Sequence, residues 1–587
     1  MTTLAKFSPI LWAPPEQSVQ LDGLEIAAFG GTLHVSARDA GGTTLDISAD
    51  GELIIRLSVP LGDASGYWHP GAGGGRNLPA DWSTELRTSL VNSSPSGCLY
   101  DSAGRSIFGF SLDWYVREAD MRYGVSEEHR RFGVWIAIGG GGQKQLRLTT
   151  PGRTVAETAA SLRDWHRTLA ASPAMAVPDA GRGVTYSTWY AFAQDVAAAT
   201  VEKELAVAAE SGLSLAILDD GWQQYGSGRG YAGCGDWVAD PVKFPDLSAH
   251  VERAHALGYH YCAWVAPLLI GPRSQAFSQW SAYAPRYEDG LKCNVLDPRH
   301  AAVRQHIVSM CSRMLTEYGF DGLKIDFLDS CMTYAGSPAA AGQDIDDVGE
   351  AMAVLLGEIR EEFDRIRPAG ALIEFRQPYI GPAISRFANL LRVGDCPADA
   401  VTNRVGAIDL RLTAADAAVH SDPILWHDDA PVETIARQMQ ASLFSVPQLS
   451  VRLSEASAAH RAAIGFWTSF WQSSRDVLLQ GDFEPGMPNA LYPVVQASRG
   501  PECVIACYRP EPLSVELAQW EQLQIVNSTG AATVILQVNG TEVTQARVET
   551  WSAAGQPVGA TDREFGAGLH TIAIPPFGLA KLIMLPQ

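Results

Sequence analysis

The chain has no excess of positive charge. Its 587 residues include 44 Lys and Arg against 65 Asp and Glu, which gives a formal net charge of -21 at pH 7. A protein that binds the phosphates of a nucleic acid needs a basic stripe, and the sequence contains none. We therefore expect no nucleic-acid partner and a neutral ligand instead.

Long apolar runs are also missing. No run approaches the ~20 residues that a membrane helix requires. Residues 1–17 lack the charged start, apolar core and cleavage site of a secretory signal. We expect a cytoplasmic protein with no membrane partner.

Paired cysteines and clustered histidines are absent as well. The nine Cys are odd in number, scattered and mostly inside apolar runs, which predicts reduced, buried thiols. Cys503 and Cys507 form a CxxxC pattern, but no second pair completes a metal site. Of the 13 His, only His420 and His427 lie near predicted strand ends. We therefore expect no metal and no cofactor.

What the chain does contain is enough apolar sequence for two to four packed domains, since 46% of its residues are hydrophobic. Residues 1–160 show short alternating segments between Gly, Asp and Asn clusters, a pattern typical of a β-sandwich. Residues 161–180 read as a helical linker, with a helix over Ser161–Ala170. Residues 181–480 alternate strands and helices, and residues 481–587 return to strands, which predicts a C-terminal antiparallel β-sandwich.

The middle part has the pattern of a (β/α)8 barrel of the TIM type. The clearest helix follows Asp297 and Pro298, which we interpret as its N-cap and first helical residue. An open doubly wound sheet is the alternative, but no Gly-rich phosphate-binding turn follows any strand. Eight apolar runs are the predicted strands: Val184–Trp189, Ser214–Leu218, Tyr259–Val265, Asp321–Ile325, Ala371–Phe375, Asn389–Val393, Pro423–Trp426 and Ser445–Val451.

Polar and aromatic residues follow successive predicted strands. The carboxyl ends of barrel strands meet at one mouth, where the active sites of such barrels lie. Solvated loop charges would explain any one of these residues, but not their placement after successive strands. The set comprises Asp219, Asp220, Trp264, Lys324, Asp326, Glu374, Arg376, Arg392, Asp395, His420, Asp422 and Trp426.

The fourth predicted strand is the most informative. By strand alternation, Lys324 and Asp326 share one face, while Leu323, Ile325 and Phe327 point to the other. A purely structural Lys–Asp pair is one interpretation. The other is a catalytic carboxylate that the neighbouring ammonium keeps ionised.

Several carboxylates with Trp and without a His cluster suit the cleavage of a glycosidic bond. In that chemistry one carboxylate attacks the anomeric carbon, and a second, protonated carboxyl group donates a proton to the leaving oxygen. A metal-dependent barrel hydrolase would instead need several His residues at the strand ends. The sequence therefore indicates a glycoside or oligosaccharide substrate.

Four motifs carry a family resemblance. The segments LDDGW (218–222), GDWVADPVKFPD (235–246), LKIDFL (323–328) and LRVGDCPAD (391–399) resemble those of glycoside hydrolase family 36, the α-galactosidase family, in order and spacing. The resemblance implies that Asp326 is the nucleophile of a retaining mechanism and that Asp395 is the acid/base. Asp399 is the alternative acid/base, and we favour Asp395 because it lies nearer the strand end.

The resemblance also implies substrate-binding roles. Asp219 and Asp220 would accept hydrogen bonds from the O4 and O6 hydroxyls of the sugar, and Lys324 and Arg392 would donate to hydroxyls. Trp264, in strand three, is a candidate at the sugar pocket. An aromatic residue from an N-terminal loop commonly walls that pocket, and we assign Trp68 to this position.

One segment departs from the family pattern. Larger bacterial members have a Cys-Ser-Gly-Gly-rich segment after strand five that contacts the sugar near C2, whereas this chain has Glu374-Phe375-Arg376-Gln377-Pro378. Arg376 could bind a carboxylate or sulfonate on the ligand, or pair with Glu374.

The resulting hypothesis is a retaining exo-α-glycosidase that prefers galactose. Alternatives are the same chemistry on N-acetylgalactosamine, glucose, arabinopyranose or an acidic sugar, transglycosylation, and a non-catalytic carbohydrate-binding protein on a barrel that has lost activity. The oligomeric state stays open, a homo-oligomer included.

Overall fold

The N-terminal part is a β-sandwich. The computed structural model describes residues 7, 10–140, 142–169, 173–414 and 417–586. Its first twelve strands are β1 Gln17–Leu21, β2 Leu24–Phe29, β3 Thr32–Asp39, β4 Gly42–Ala49, β5 Leu53–Pro60, β6 Ala64–Trp68, β7 Leu86–Thr88, β8 Ser96–Asp101, β9 Ser106–Leu112, β10 Ala119–Ser126, β11 Arg131–Ile138 and β12 Gly142–Thr149. They form two six-stranded sheets, in the orders β1-β2-β5-β11-β10-β7 and β3-β4-β12-β9-β8-β6. Alternate side chains such as Ile26, Leu45 and Phe132 fill the core between the sheets.

The middle part is the predicted parallel barrel. Its strands are β13 Thr185–Ser187, β14 Leu215–Leu218, β15 His260–Val265, β16 Leu269–Ile270, β17 Arg286–Glu288, β18 Cys293–Val295, β19 Gly322–Ile325, β20 Leu372–Arg376, β21 Leu390–Arg392, β22 Ala418–His420 and β23 Gln448–Leu449. Eight of them pair in the order β22-β21-β20-β19-β15-β14-β13-β23. Two isolated parallel bridges, His420 to Val446 and Ile424 to Leu449, join the ends of this sheet and close it. The remaining three, β16, β17 and β18, form a small sheet on a loop after β15.

Amphipathic helices surround the barrel and link it to the sandwich. They are α1 Val155–Leu169, α2 Trp189–Phe192, α3 Ala198–Glu210, α4 Leu247–Ala256, α5 Phe277–Trp280, α6 Ala301–Thr316, α7 Val348–Ile366, α8 Ala400–Thr413, α9 Val432–Ala441 and α10 Ala458–Gln480. The first helix begins at Val155 rather than at the predicted Ser161. The helices supply the apolar layer that covers the outer face of a parallel sheet.

Two local predictions in the barrel are wrong. Strand seven is Ala418–His420 and not Pro423–Trp426. The strand is only three residues long, and its short Ala-Val run is a weaker signal than the larger apolar side chains at 423–426. Asp297 is not a helix N-cap: α6 begins at Ala301, after His300. The Asp297 carboxylate instead receives hydrogen bonds from the Arg299 guanidinium, with Nη2 to Oδ2 at 2.8 Å.

The C-terminal part is again built of strands. They are β24 Asp482–Glu484, β25 Val494–Arg499, β26 Glu502–Cys507, β27 Leu513–Val515, β28 Gln522–Asn527, β29 Thr533–Val538, β30 Thr544–Trp551, β31 Pro557–Phe565, β32 Gly568–Ala573 and β33 Leu579–Met584. A seven-stranded sheet, β24-β25-β26-β28-β33-β30-β31, faces a three-stranded one, β27-β29-β32. The pairs β26/β28 and β27/β29 are parallel and the other pairs are antiparallel. The predicted multidomain architecture is thus confirmed, while the boundaries at 160, 180 and 480 stay predictions.

All nine cysteines are free and buried, as predicted. In the described ranges, no helix is both long enough and apolar enough to cross a membrane.

A buried carboxylate joins the three parts of the molecule. Asp409 on α8 accepts hydrogen bonds from Trp68 Nε1 (3.0 Å) and from the Tyr492 hydroxyl (2.8 Å), and it forms an ion pair with Arg76 at 2.6 Å. Trp68 and Arg76 belong to the sandwich part, and Tyr492 lies at the start of the C-terminal strands. The Arg76 guanidinium also lies 4.8 Å from the centre of the Tyr492 ring. Two neutral donors, Trp68 and Tyr492, are therefore ordered around a single buried charge pair.

This junction makes stability depend on Arg76. Replacing Arg76 by Met keeps the length of the side chain but leaves Asp409 buried without its cation, which should destabilise the protein by about 3–5 kcal/mol. The midpoint of urea unfolding measures this change. Arg365→Met is the control, because Arg365 pairs with Glu362 on the exposed face of α7 and the pair is held in solvent. Equal midpoints for the two variants would contradict the role given to the junction.

Candidate active site

A cavity of about 290 Å³ opens at the carboxyl end of the barrel strands. Side chains from the ends of six neighbouring strands, or from the segments that follow these strands, contribute to it. Carboxylates, cations and aromatic rings meet there: the lining residues are Trp189, Asp219, Asp220, Tyr231, Trp264, Lys324, Asp326, Phe327, Arg376, Arg392 and Asp395. The structure therefore brings together eight of the sequence candidates: Asp219, Asp220, Trp264, Lys324, Asp326, Arg376, Arg392 and Asp395. The other candidates do not line this cavity: Trp68, Glu374, Asp399, His420, Asp422 and Trp426.

Asp326 lies at the end of β19 and receives three hydrogen bonds. Its Oδ1 accepts from Arg376 Nε (2.5 Å) and from the Phe327 amide (2.7 Å), and its Oδ2 accepts from Trp264 Nε1 (3.1 Å). Burial alone would raise the pKa of Asp326, but the charges of Arg376 and Lys324 outweigh it and leave the pKa below its ordinary value. The carboxylate is therefore ionised and held in one orientation.

Lys324 does not form its hydrogen bond with Asp326. Its ammonium group donates to Asp219 Oδ2 at 2.6 Å, at the end of β14, which lies two strands from β19 in the sheet. Asp219 is oriented further, because its Oδ1 accepts from the Asp220 amide at 2.9 Å. A local Lys324–Asp326 hydrogen-bonded pair is thus absent, although the lysine still contributes charge near Asp326.

Asp220 is held by two amide side chains. Its oxygens accept from Gln194 Nε2 (2.6 Å) and Gln223 Nε2 (2.7 Å). Burial raises the pKa of Asp220 to about 6, partly offset by these two hydrogen bonds. The carboxylate keeps lone pairs for a ligand hydroxyl above that pH and loses an acceptor below it.

Arg392 at the end of β21 connects three carboxylates. It donates through Nη1 to Asp422 and through Nη2 to Asp395 at 2.9 Å, and its Nε lies 3.8 Å from Glu374. The Asp395 side chain is 59% exposed, whereas Asp422 is fully buried. Burial would raise the pKa of Asp395, but Arg392 outweighs it and lowers that pKa.

Arg376 and Glu374 do not pair, which corrects one of the two interpretations of the strand-five segment. Arg376 lies at the cavity, donating to Asp326, to the Gln377 carbonyl (2.8 Å) and, at 3.4 Å, to Asp329. Glu374 lies one layer deeper in the barrel, where its Oε2 accepts from Gln448 Nε2 at 2.6 Å. Residues two apart in a strand share a face but lie at different depths, and the depth separates the two charges here.

Trp68 is also placed differently from the expectation. It does not wall the cavity: it is 2% exposed and its indole is committed to Asp409 at the junction of the three parts. An aromatic residue from within the barrel, Trp189, occupies the cavity wall instead. Trp189 lies two residues after β13 and is the last residue of the predicted first strand, so its strand-end position could have identified it.

The hydrogen bonds of Asp399 give it a structural role in capping a helix. It is the N-cap of α8, with its Oδ1 accepting from the amides of Val401 (3.1 Å) and Thr402 (3.0 Å). Hydrogen bonds from the Thr402 hydroxyl and, to a smaller extent, from the Thr402 backbone amide lower the pKa of Asp399. The carboxylate lies outside the cavity lining, whereas Asp395 lies within it.

Two further aromatic residues were missed by strand periodicity. Phe327 was expected to face away from Lys324 and Asp326, yet β19 ends at Ile325 and Phe327 adopts a left-handed backbone (φ 55°) that turns its ring into the cavity. Tyr231 comes from the loop after β14, which carries no periodic signal, and its ring lies 4.8 Å from that of Phe327.

No group of three or more His, Cys, Asp or Glu side chains in the described part of the chain is arranged to hold a metal ion. The cavity therefore offers acids, cations and rings as its chemical groups.

Comparisons with known proteins agree with this picture. Residues 150–368 match the melibiase family model. Alpha-galactosidase 2 of Pediococcus pentosaceus is 31% identical over 163 residues, which are 26% of this chain and 22% of that protein. The chain thus aligns with less than a quarter of the length of the curated relatives it matches.

Solved structures resemble the chain over nearly its whole length. The glycoside hydrolase family 36 α-galactosidase AgaB of Geobacillus stearothermophilus has a TM-score of 0.65 and 16% identity, covering 96% of this chain and 81% of its own. TtGalA, the α-galactosidase of Thermus thermophilus solved with p-nitrophenyl α-D-galactopyranoside, has a TM-score of 0.53 and 17% identity, covering 77% of this chain and 94% of its own. The resemblance expected from the four motifs is confirmed: residues 150–368 match the melibiase family model, and the chain as a whole has the fold of the family 36 α-galactosidases.

Proposed function

We propose that this protein is a retaining exo-α-galactosidase that hydrolyses terminal α-linked galactose from glycosides and oligosaccharides. The observation that carries the proposal is the cavity in which the ionised, triply hydrogen-bonded Asp326 lies with Asp395 and with the acid pair Asp219 and Asp220. The melibiase match and the α-galactosidase names of the relatives support the same activity.

Asp326 is the nucleophile in this proposal. A nucleophilic carboxylate must be ionised and must point at the anomeric carbon. The lowered pKa supports an ionised Asp326, and the three donors hold its carboxylate in one orientation at the cavity. Attack by Asp326 would form a covalent glycosyl-aspartate, which water then hydrolyses.

Asp395 is the acid/base. It faces the cavity at its open rim, where the leaving group departs. In the free protein Arg392 lowers the pKa of Asp395. A bound sugar would cover its exposed carboxyl group, and the loss of water raises the pKa of an acid. Substrate binding thus favours the protonated form that donates to the leaving oxygen.

Asp219 and Asp220 bind the hydroxyls of the galactose, with Lys324 and Arg392 as hydroxyl donors. The buried acid pair forms the closed end of the cavity, which suits an enzyme that takes a terminal sugar. The exposed Asp395 lies toward the open end.

The state of Arg376 favours a neutral sugar. Its guanidinium already donates to Asp326, Gln377 and Asp329, so it does not present a vacant fork to a carboxylate or sulfonate. It also occupies the cavity wall beside Asp326, where a 2-acetamido group would need room. Both points favour galactose over an acidic or N-acetylated sugar.

The deciding experiment is a panel of p-nitrophenyl α-glycosides carrying galactose, N-acetylgalactosamine, glucose, arabinopyranose and an acidic sugar. The galactoside should give the highest kcat/KM. Asp326→Asn should lower kcat on it by at least about 1,000-fold, since the nucleophile is lost, with an unchanged circular dichroism spectrum. Full activity in this variant would refute the assignment of Asp326, and transfer product in excess of free galactose would indicate a transglycosylase.

Azide rescue separates the two acid/base candidates. With an activated aryl galactoside, azide should restore turnover of Asp395→Ala and form a glycosyl azide, because azide needs no base to attack the intermediate. Asp399→Ala should show no rescue, only a loss of about 1 kcal/mol in stability from the missing N-cap. Rescue of the Asp399 variant alone would transfer the role to that residue.

The acid side of the pH profile should report Asp220. Because burial raises the pKa of Asp220 to about 6, the free enzyme loses an acceptor carboxylate as pH falls through about 6, and kcat/KM should fall with it. Asp220→Asn should have a lower kcat/KM at neutral pH and lack this limb. A limb that persists at the same pH in the variant would assign the titration to another group.

A further inference from the structure

Glu374 is a buried carboxylate for which the proposed chemistry has no role. It lies in the barrel interior on β20 and is 1% exposed. Its Oε2 accepts from Gln448 Nε2 at 2.6 Å. Its Oε1 has no hydrogen-bond partner among the described residues and lies 3.8 Å from Arg392 Nε, which likewise has none.

The neighbours of Glu374 fix its orientation. His420 Nε2 donates to the Gly181 carbonyl at 2.9 Å, so Nδ1 is the acceptor and lies 3.0 Å from Gln448 Nε2. Burial lowers the pKa of His420 to about 4, and the ring is therefore neutral. The Gln448 side-chain amide, on β23, thus donates hydrogen bonds both to His420 on β22 and to Glu374 on β20.

Arg392 is shared among three acids on different elements. Asp422 and Asp395 accept from its two terminal nitrogens, and Glu374 faces the third nitrogen from below. Lys324 also faces Glu374, but its ammonium group is already bound to Asp219 at the end of β14. Arg392 is therefore the group that a change in the charge of Glu374 would move.

We propose that Glu374 is a positioning residue for the acid/base, acting through Arg392: its carboxylate draws the guanidinium toward the barrel interior and so limits the hold of Arg392 on Asp395. This inference rests on the proposed function of Asp395. An acid/base must accept a proton, and an Arg bound too tightly to it prevents protonation. Glu374 offsets that effect from the side away from the substrate.

The ionisation of Glu374 falls in the working range. Burial raises the pKa of Glu374 to about 7, against the opposing charges of Lys324 and Arg392. Near neutral pH and above it, the carboxylate carries the charge that attracts Arg392. Loss of that charge strengthens the effect of Arg392 on Asp395, so Asp395 loses its proton at a lower pH.

The test compares Glu374→Gln with the unaltered protein on two α-galactosides, at pH 7.5. The dinitrophenyl galactoside releases dinitrophenolate, which departs without being protonated. The methyl galactoside releases methanol, whose oxygen must receive a proton as the glycosidic bond breaks. The variant should lose about 10-fold or more in kcat/KM on the methyl galactoside and clearly less on the dinitrophenyl galactoside, since only the former requires the general acid. The basic limb of kcat/KM on the methyl galactoside should move to lower pH.

Asp409→Asn is the matched control. It also removes a buried carboxylate charge that faces an Arg, but at the domain junction rather than at the barrel mouth. Any loss it causes should be equal on both substrates, with no shift of the basic limb. If Glu374→Gln accumulates as unfolded protein, Gln448→Met is used in its place. Loss of the Gln448 amide donor favours the neutral form of Glu374. Gln448→Met should therefore show the same dependence on the leaving group.

The outcomes are distinct. A loss that grows with the basicity of the leaving group supports the proposal. An equal loss of kcat/KM on both galactosides, or no loss, overturns the role proposed for Glu374. The proposed function still stands in that case if the unaltered protein hydrolyses both galactosides. Hydrolysis of neither galactoside by the unaltered protein overturns both.

Discussion

The ion pair between Lys324 and Asp219 links β19 to the end of β14 at 2.6 Å, with both side chains almost fully buried. Carboxylates at this depth are costly unless cations and donors surround them. Lys324, Arg376 and Arg392 provide the positive charge, and each lies close to more than one acid. The positions of Asp219, Asp326 and Asp395 follow from this arrangement, because none of the three can move without leaving a cation unbalanced.

The same balance separates the acids into different states. Asp326 has a lowered pKa and Asp220 and Glu374 have raised ones, although all three lie in one small region. The difference comes from which acid receives a guanidinium directly and which receives neutral amides. Environments that push neighbouring pKa values apart are what acid/base chemistry at neutral pH requires.

The barrel and most of its mouth could be predicted from the sequence. Strand alternation put Lys324 and Asp326 on one face, and the strand-end positions of Asp219, Asp220, Arg392 and Asp395 led to the same cavity. These are short-range signals, carried by residues within a few positions of a strand.

The failures involve longer-range contacts or the ends of strands. Trp68 bonds to Asp409, which is 341 positions away in the chain, and no local pattern encodes that partner. Phe327 departs from alternation because its backbone leaves the strand, and strand seven is too short to show a periodicity. Arg376 and Glu374 share a face, so the sequence could not tell their depths apart.

The barrel is closed between β22 and β23 by isolated bridges rather than by a continuous ladder. His420 and Gln448 meet across this seam, next to Glu374. A seam with few backbone hydrogen bonds opens at a lower free energy than the other strand pairs. Transient opening of this seam would admit water beneath the carboxylates of the cavity, so the polar contacts that close the seam also shield those carboxylates from below.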